Sequence, residues 1–400
     1  MGNDKKKDSI NLPPEEELLS ILNLIEKNGH KARVVGGAVR NFLLKMDISD
    51  IDIATTATPN EIIDIFSKNG IYVTPIGIEH GTVLISYGNK SYETTTLRED
   101  IQTFGRHAKV KFTKSFEIDS CRRDFTINAM YMDKNGKIFD YHSGMDDLKA
   151  RNLRFIGDPH TRITEDYLRI LRYFRFLASY GEYRANAEYL TIINELKSNL
   201  SALSSERILG ELLKTFAISD SYKIVPIIRD ALNELFDLKL DPLKICEKLN
   251  IYPTLSAEER IGFFLKFSSF SVPELLKKYN LPKNIKEIIQ LPKIDLSQIF
   301  FALKNTKKTL RKFYAKYLVV KSYAEELLNE AEAKITLENL LDFCESEYVD
   351  FNLRAEHLQA EDLSERELKR IMIATKKFWM ESSHVSVDEC KNYAINHVKN

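Results

Sequence analysis

Apolar residues recur with two different periods along this 400-residue chain. Between residues 72 and 97, short β-branched and aromatic runs are separated by turn residues such as Gly88-Asn89, which predicts strands and a hairpin. From residue 186 onward, apolar residues recur at helical spacing and predict helices near 186–198, 204–218, 222–237 and 257–268. The pattern therefore predicts a β-rich part followed by a helical part.

The stretch Arg33–Thr58 combines a glycine turn with two closely spaced acids. Its pattern predicts a short strand, a turn at Gly36-Gly37, a helix start and a second strand that holds Asp50 and Asp52. Glycines let backbone amides approach a ligand, and a following helix N-terminus favours anions. Alternate residues of a strand point to one face, so the two carboxylates can lie side by side, which suits Mg²⁺. This order of features indicates nucleotidyl transfer.

Taken singly, a diglycine is mostly a turn, and an Asp-x-Asp pair is more often a solvated strand end. Together and in this order they resemble the signature of polymerase-β-like nucleotidyltransferases, in the version of the class II tRNA nucleotidyltransferase and bacterial poly(A) polymerase family. The resemblance implies that Asp50 and Asp52 are catalytic ligands of two Mg²⁺ ions, and that Gly37 and Arg40 contact the nucleotide. The chain departs from the family pattern at Asn41, where an acid usually follows the arginine.

A second motif, Arg122–Met130, places two arginines and an acid before an apolar run. Two adjacent arginines can both be ordinary surface residues. The family resemblance instead implies that Arg123 holds the triphosphate or sugar and that Asp124 binds the ribose hydroxyls. The chemistry is suitable, because a guanidinium forms paired bonds to phosphate and a carboxylate accepts from vicinal hydroxyls.

A third motif spans Gly157–Phe176 and has the apolar spacing of a helix. Asp158 or Thr164 could cap this helix, and helical spacing places Asp166 and Arg169 close together on one face. The alternative is a surface ion pair worth roughly a few tenths of a kcal/mol. Four arginines against two acids on one short helix argue against a purely solvated face.

Base choice gives the Asp–Arg pair a function. An Asp that accepts from an exocyclic amino group and an Arg that donates to the adjacent ring nitrogen match both cytosine and adenine. Guanine and uracil place a carbonyl where the carboxylate needs a donor, and unpaired buried polar groups are costly. The resemblance assigns this protein template to Glu165, Asp166 and Arg169, with Arg172 and Arg175 as further nucleotide contacts.

Two features near the first motif complete the expected site. Residues 98–117 are polar and predict a mobile loop, which in the family takes part in adding the terminal adenosine, although Phe104 replaces a more usual acid. Glu93, on the strand before this loop, is a candidate third carboxylate, and its alternative is an ordinary surface residue of a strand.

Composition narrows the class of protein but does not identify its binding partner. Lys+Arg and Asp+Glu cancel at 58 each, so any RNA contact needs charge sorted onto faces. Four scattered cysteines lack zinc-ligand spacing and indicate reduced thiols. The chain has no apolar run long enough to span a bilayer and no signal peptide. We therefore expect a cytoplasmic protein with no membrane partner.

Residues 301–321 hold seven bases and no acid, with aromatic residues between them. A solvated basic face is the more common explanation of such a helix, and phosphate contact with tRNA is the alternative. The bases are Lys304, Lys307, Lys308, Arg311, Lys312, Lys316 and Lys321.

The resemblance implies an α+β fold, with a polymerase-β-like nucleotidyltransferase head built on a mixed β-sheet and an all-α neck, body and tail. The expected division is a disordered N-terminus at 1–12, a head at 13–145, a neck with the nucleotide-selecting motif at 146–205, a body at 206–300 and a tRNA-binding tail at 301–400. The implied reaction adds C, C and A from CTP and ATP to the 3′ end of tRNA, with Mg²⁺ as cofactor and no protein partner.

Other activities share these motifs. A bacterial poly(A) polymerase or an A-adding half-enzyme is one alternative, and a non-catalytic RNA-binding relative is another. The segment 98–117 argues against a CC-only enzyme, and the absence of a long basic C-terminal extension argues against poly(A) polymerase. The Asp50/Asp52 pair argues against a non-catalytic relative.

Overall fold

The computed structural model describes residues 16–104, 107–218, 220–238, 252–292, 299–324, 330–346, 350–354, 364–382 and 385–398. The segment expected to be disordered, 1–12, lies outside these residues. The chain divides into two compact units, Met1–Leu203 and Ser204–Asn400, and each is described by itself. The finer division into head, neck, body and tail stays a prediction.

A mixed sheet of seven strands forms the centre of the first unit, in the order β3-β4-β5-β2-β1-β8-β9. The pairing of β2 with β5 is parallel and the other pairings within the sheet are antiparallel. The strands are β1 Ala32–Val35, β2 Asp52–Thr55, β3 Tyr72–Gly77, β4 Thr82–Tyr87, β5 Lys90–Thr96, β6 Arg98–Phe104, β7 His107–Phe112, β8 Met130–Met132 and β9 Ile138–Asp140. The predicted short strands and the hairpin between β4 and β5 are therefore confirmed.

Helices of the first unit pack their apolar faces against this sheet and against one another. The first helix buries Leu18, Ile21, Leu22 and Ile25 at helical spacing. The helices are α1 Glu16–Lys27, α2 Gly37–Leu43, α3 Pro59–Ser67, α4 Phe116–Cys121, α5 Gly144–Lys149, α6 Pro159–Glu165, α7 Leu168–Tyr180 and α8 Ala187–Leu196.

The predicted mobile loop at 98–117 is wrong. Strands β6 and β7 form a separate antiparallel ribbon with a bulge between Asp100 and Gln102, and α4 follows the ribbon. The base of the ribbon is fastened by Thr113 N, which donates to Leu97 O at 2.8 Å, and by Arg98 N, which donates to Asp119 Oδ1 at 3.1 Å. Polar side chains suggested a loop because a ribbon held by backbone hydrogen bonds needs no apolar face.

The single helix predicted for the third motif is also wrong, because the chain breaks at Asp166. Asp158 caps α6, which ends at Glu165, and Asp166 then adopts an extended conformation with φ −154° and ψ 104°. A second helix, α7, begins at Leu168. The prediction that the second strand holds both Asp50 and Asp52 is wrong, because β2 begins at Asp52 and Asp50 lies in the segment before it.

The described part of the second unit is helical. The helices predicted near 204–218, 222–237 and 257–268 are confirmed as α9, α10 and α11, and α11 packs against both α9 and α13. The helices are α9 Ser205–Phe216, α10 Val225–Phe236, α11 Ala257–Lys266, α12 Val272–Lys278, α13 Lys283–Gln290, α14 Ile299–Asn305, α15 Lys308–Ala324, α16 Glu330–Glu345, α17 Glu365–Glu381 and α18 Val387–Val398. Across the described ranges, the structure has no helix with the length and apolar character needed to cross a bilayer.

Burial divides the basic stretch 301–321. Lys304, Arg311 and Lys316 are buried, and the intervening aromatic residues are core residues, whereas Lys307, Lys308 and Lys312 are exposed as a solvated face requires. Lys304 Nζ donates to Trp379 O and, at 2.6 Å, to Ser382 O at the end of α17, and burial lowers the pKa of Lys304 to about 8. Carbonyls at a helix C-terminus accept such a cation well, so Lys304 stabilises the fold.

We expect opposite effects on stability from two glycine substitutions. A Cβ at Gly144 would lie far inside van der Waals contact with Thr126 O, whereas a Cβ at Gly210 in α9 meets nothing within 4 Å. Gly144→Ala should therefore destabilise the protein by about 1–3 kcal/mol through overpacking. Gly210→Ala should stabilise it by about 0.5–1 kcal/mol, because alanine is the better helix former. Melting temperatures measured by calorimetry give the sign of the stability change in each variant. Equal changes in the two variants would contradict the close packing at Gly144.

Candidate active site

The glycine turn brings the first and second motifs together. Gly36 has φ +74°, a conformation that L side chains rarely adopt, and α2 begins at the next residue. A Cβ at Gly36 would lie 3.7 Å from Nη1 of Arg123. The guanidinium of Arg123 therefore lies against the turn, next to Gly37 at the start of α2.

Arg40 connects the first motif with the other two. Its buried guanidinium donates to Asn128 Oδ1 and lies 4.2 Å from the centre of the Tyr180 ring in α7. Asn128 in turn donates from Nδ2 to Asp124 Oδ1 at 3.1 Å. Desolvation lowers the pKa of Arg40, and the charge of Arg175 adds to this lowering. Asn128 has no charge, so the pattern of charged residues in the sequence does not reveal its role at the site.

Asp52 and Glu93 are partners in register on the parallel strands β2 and β5. Both are exposed, yet desolvation by the surrounding protein raises the pKa of each carboxyl. Asp50 raises the pKa of Asp52 further, and Asp52 raises that of Glu93, while Arg123 acts in the opposite direction on Asp52. Asp52 is thus repelled by Asp50 and in turn repels Glu93, at a position that the protein partly surrounds but leaves open to solvent.

This carboxylate group fits a divalent cation, because a bound cation would relieve the repulsion among the three acids. Within the ranges that the structure describes, no three His, Cys, Asp or Glu side chains form a complete metal site. Such a partial donor set suits Mg²⁺, which is commonly held by one or two carboxylates together with substrate phosphates and water.

Asp119 orients the second motif, although it lies outside the three motifs recognised in the sequence. The carboxylate is buried, and Oδ2 accepts from Tyr131 Oη at 2.7 Å and from Arg123 Nη2 at 3.2 Å. Oδ1 accepts from Arg122 Nε at 2.9 Å and from Arg98 N, at the base of the β6–β7 ribbon. Burial alone would raise the pKa of Asp119, but the two arginines outweigh it and lower the pKa. The four-residue spacing from Asp119 to Arg123 was the signal available in the sequence.

Asp124 joins the second motif to the third. Its Oδ2 accepts from Arg172 Nε at 2.7 Å, and its Oδ1 accepts from Phe125 N at 2.8 Å and from Asn128 Nδ2. Burial would raise the pKa of Asp124, but Arg172 and the hydrogen bonds lower it to about 2. Both carboxylate oxygens are therefore already engaged within the protein.

The predicted template residues lie at the break between α6 and α7. Arg169 Nη1 pairs with Glu165 Oε2 at 2.6 Å and donates to Arg162 O, while Asp166 Oδ1 accepts from Leu168 N at 3.2 Å. Arg162 also pairs with Glu165, and its Nη2 donates to Arg123 O at 2.7 Å. The third motif is thereby fastened to the second.

Arg175 is the last of the predicted nucleotide contacts. Its guanidinium lies 4.0 Å from the centre of the Phe176 ring, and its charge acts on Arg40. The structure thus brings residues of all three motifs into one connected network within the first unit.

Comparison with known proteins agrees with this geometry. A family model described as the poly A polymerase head domain matches residues 32–154. The CCA-adding enzyme of Oceanobacillus iheyensis is 39% identical over 280 residues, which cover 68% of each chain. The CCA-adding enzyme of Pediococcus pentosaceus is 36% identical over 298 residues, 71% of this chain and 74% of the relative. Human mitochondrial CCA tRNA nucleotidyltransferase 1 is 41% identical over 218 residues, and the match spans 50% of that relative.

Solved structures show the same fold. The Thermotoga maritima CCA-adding enzyme complexed with tRNA superposes with a TM-score of 0.70 at 18% identity, covering 97% of each chain. The Bacillus stearothermophilus CCA-adding enzyme in complex with CTP superposes with a TM-score of 0.64 at 22% identity, covering 97% of this chain and 98% of the other.

The fold and the matched head define a polymerase-β-like nucleotidyltransferase followed by helices, as the sequence predicted. Enzymes of this class generally use a divalent metal. The chain belongs to the family of CCA-adding enzymes, the class II tRNA nucleotidyltransferases.

The ion pair of Asp124 with Arg172 should make stability depend on pH in the acid range. The pKa of about 2 lies below the unfolded value of about 3.9, so the pair stabilises the fold above pH 4 and this contribution is lost between about pH 4 and 2. We expect Asp124→Asn to cost about 1.5–3 kcal/mol near pH 7 and to weaken this acid dependence. Melting temperature measured as a function of pH gives both the loss of stability near pH 7 and the acid dependence. The control is Asp64→Asn, which changes an exposed aspartate. Parallel curves for wild type and Asp124→Asn would contradict the assignment.

Proposed function

We propose that this protein adds C, C and A, from CTP and ATP, to the 3′ end of tRNA without a nucleic-acid template. The observation that supports the proposal most is the convergence of three motifs in a chain that is 39% identical, over 68% of its length, to a protein named CCA-adding enzyme. The relatives of known structure include one with bound CTP and one with bound tRNA, which supports these two substrate classes.

Asp50 and Asp52 would hold Mg²⁺, with Glu93 as a neighbouring carboxylate. When bound, two such ions would supply positive charge that favours ionisation of the tRNA 3′-hydroxyl and stabilises the triphosphate and the leaving pyrophosphate. The supporting observation is that Asp52 and Glu93 lie in register on β2 and β5, where desolvation first, and then a neighbouring carboxylate, raises the pKa of each. Loss of either aspartate removes half of the donor set.

Arg123 would bind the triphosphate beside the turn at Gly36-Gly37. Asp119 and Tyr131 fix its guanidinium before the nucleotide arrives, so little side-chain entropy is lost on binding. Arg40 adds a second guanidinium at the end of α2, held by Asn128. The chain itself thus provides an oriented cationic side to the site, opposite in sign to the carboxylate group.

Asp166 and Arg169 would select the base. Asp166 would accept from the exocyclic amino group of cytosine or adenine, and Arg169 would donate to the ring nitrogen. Glu165 restrains Arg169 by an ion pair of 2.6 Å, which fixes the direction of its donors. Guanine and uracil would leave Asp166 facing a carbonyl.

Asp124, Arg172 and Arg175 would act around the sugar and phosphates. Because both oxygens of Asp124 are engaged, a contact with ribose hydroxyls would have to share an oxygen that already accepts a hydrogen bond. We therefore assign Asp124 chiefly to the orientation of Arg172.

The helical neck, body and tail would bind tRNA, with boundaries at 146–205, 206–300 and 301–400. The buried bases Lys304, Arg311 and Lys316 are unsuited to phosphate contact, so that role would fall to exposed bases of the tail. A cytoplasmic location, and independence from any protein partner, stay predictions.

Poly(A) polymerase activity is the second candidate, because the family model matched by the head bears that description. An A-adding half-enzyme would share the same site. The products of the reaction distinguish all three activities.

The test is incorporation of labelled CTP and ATP, separately and together, into tRNA that ends at the discriminator base, with Mg²⁺ present. We expect two C residues and then one A, followed by a stop. Asp50→Ala and Asp52→Ala should each reduce incorporation at least about 100-fold, since each removes a metal ligand. Asp64→Ala, an exposed acid on α3, is the matched control and should retain full activity.

Other products would change the conclusion. A long A tail on general RNA would establish poly(A) polymerase, and a single A on tRNA that already ends in CC would establish an A-adding enzyme. No incorporation by the wild-type protein would favour a non-catalytic RNA-binding relative.

A further inference from the structure

Asn41 is the residue that directly follows Arg40 in α2, and its amide makes contacts in two directions. Oδ1 accepts from Arg40 Nε at 3.2 Å and Nη2 at 3.0 Å, and from Tyr180 Oη at 3.2 Å. Nδ2 donates to Asp47 O at 2.9 Å. One side chain therefore joins a guanidinium of the site to the segment that leads to Asp50.

These partners suit an amide. A guanidinium has only donors and a backbone carbonyl has only lone pairs, so the side chain between Arg40 and Asp47 O must accept on one side and donate on the other. A carboxylate at position 41 would satisfy Arg40 but would present lone pairs to the carbonyl of Asp47. The departure from an acid at this position thus has a local physical reason.

The backbone around Asn41 fastens the same segment a second time. Asn41 O accepts from Met46 N at 2.9 Å, and Phe42 O accepts from Lys45 N at 3.1 Å. This pair of bonds closes α2 with Lys45 in a left-handed conformation, φ +56°, which glycine adopts more readily than lysine. The contacts of Asn41 therefore hold a strained turn that ends three residues before Asp50.

We propose that Asn41 is a positioning residue that fastens the segment 44–50 to Arg40, so that the Asp50 carboxylate and the phosphate-binding guanidinium keep a fixed separation. This inference rests on the proposed function, since it assigns Asp50 to a metal ion and Arg40 to the nucleotide. Asn41 itself touches neither ligand and acts through the two groups that it connects.

Two substitutions distinguish the bond of Asn41 to Arg40 from its bond to Asp47 O. Asn41→Asp keeps an acceptor for Arg40 but loses the donor to Asp47 O, whereas Asn41→Ala loses both. Both variants should weaken binding of Mn²⁺, measured by electron paramagnetic resonance on the full-length protein without nucleotide, by about three- to tenfold. Only Asn41→Ala should also raise the KM for CTP by a similar factor, because only that variant releases Arg40.

Asn28 provides the matched control. Its Nδ2 donates to Leu24 O at 2.8 Å at the end of α1, and its side chain is exposed. Asn28→Asp and Asn28→Ala should leave Mn²⁺ binding and the KM for CTP unchanged. Circular dichroism and melting temperature establish that the Asn41 variants are folded.

A rescue variant distinguishes positioning from a general loss of stability. Lys45→Gly removes the strain of the left-handed turn, so in the Asn41→Ala background it should restore part of the Mn²⁺ affinity without lowering the raised KM for CTP. Wild-type Mn²⁺ affinity in both Asn41 variants would overturn the inference while leaving CCA addition intact. Absence of Mn²⁺ binding and of incorporation in the wild-type protein would instead overturn the proposed function.

Discussion

Carboxylates that hold arginine side chains in place are the constraint on which the first unit depends. A guanidinium carries five donors and cannot lose its charge, so burying it without acceptors is costly. Each of three acids meets this need for one or two arginines. The pairs are Asp119 with Arg122 and Arg123, Asp124 with Arg172, and Glu165 with Arg162 and Arg169. The pairs of Asp119 and Glu165 join near neighbours in sequence, whereas Asp124 and Arg172 join the second motif to the third. The first motif is joined to the second by Arg40, which donates to Asn128 Oδ1.

The same arrangement divides the site into two sides of opposite sign. Arg123 and Arg40 lie at the glycine turn, and Asp52 and Glu93 lie opposite each other in register on β2 and β5. The cationic side is already paired and oriented, whereas the acids repel one another. A triphosphate that arrives with a divalent cation complements both sides at once, which is the physical basis for assigning nucleotidyl transfer to this region.

Features that depend on neighbouring residues could be predicted from the sequence. The diglycine turn, the hairpin at Gly88-Asn89 and the helices of period 3.6 are local, and the structure has them. The contact of Asp119 with Arg98 N at the base of the ribbon joins residues 21 positions apart, which local patterns do not reveal. The break at Asp166 interrupts a periodic pattern that continues on both sides, so periodicity alone could not reveal it. Lys304 was misjudged because its partners are backbone carbonyls of α17, which composition does not show.

If Asp166 and Arg169 select the base as proposed, one site binds both cytidine and adenosine triphosphate and rejects nucleotides with the other two bases. Calorimetric titration of CTP, ATP, GTP and UTP into the full-length protein, with divalent ions chelated, tests this selectivity most directly. We expect one equivalent of CTP or ATP, mutual displacement of these two nucleotides, and affinities for GTP and UTP at least about tenfold weaker, as expected when a buried polar group is left unpaired. Equal affinities for all four nucleotides, or independent binding of CTP and ATP at two sites, would contradict it.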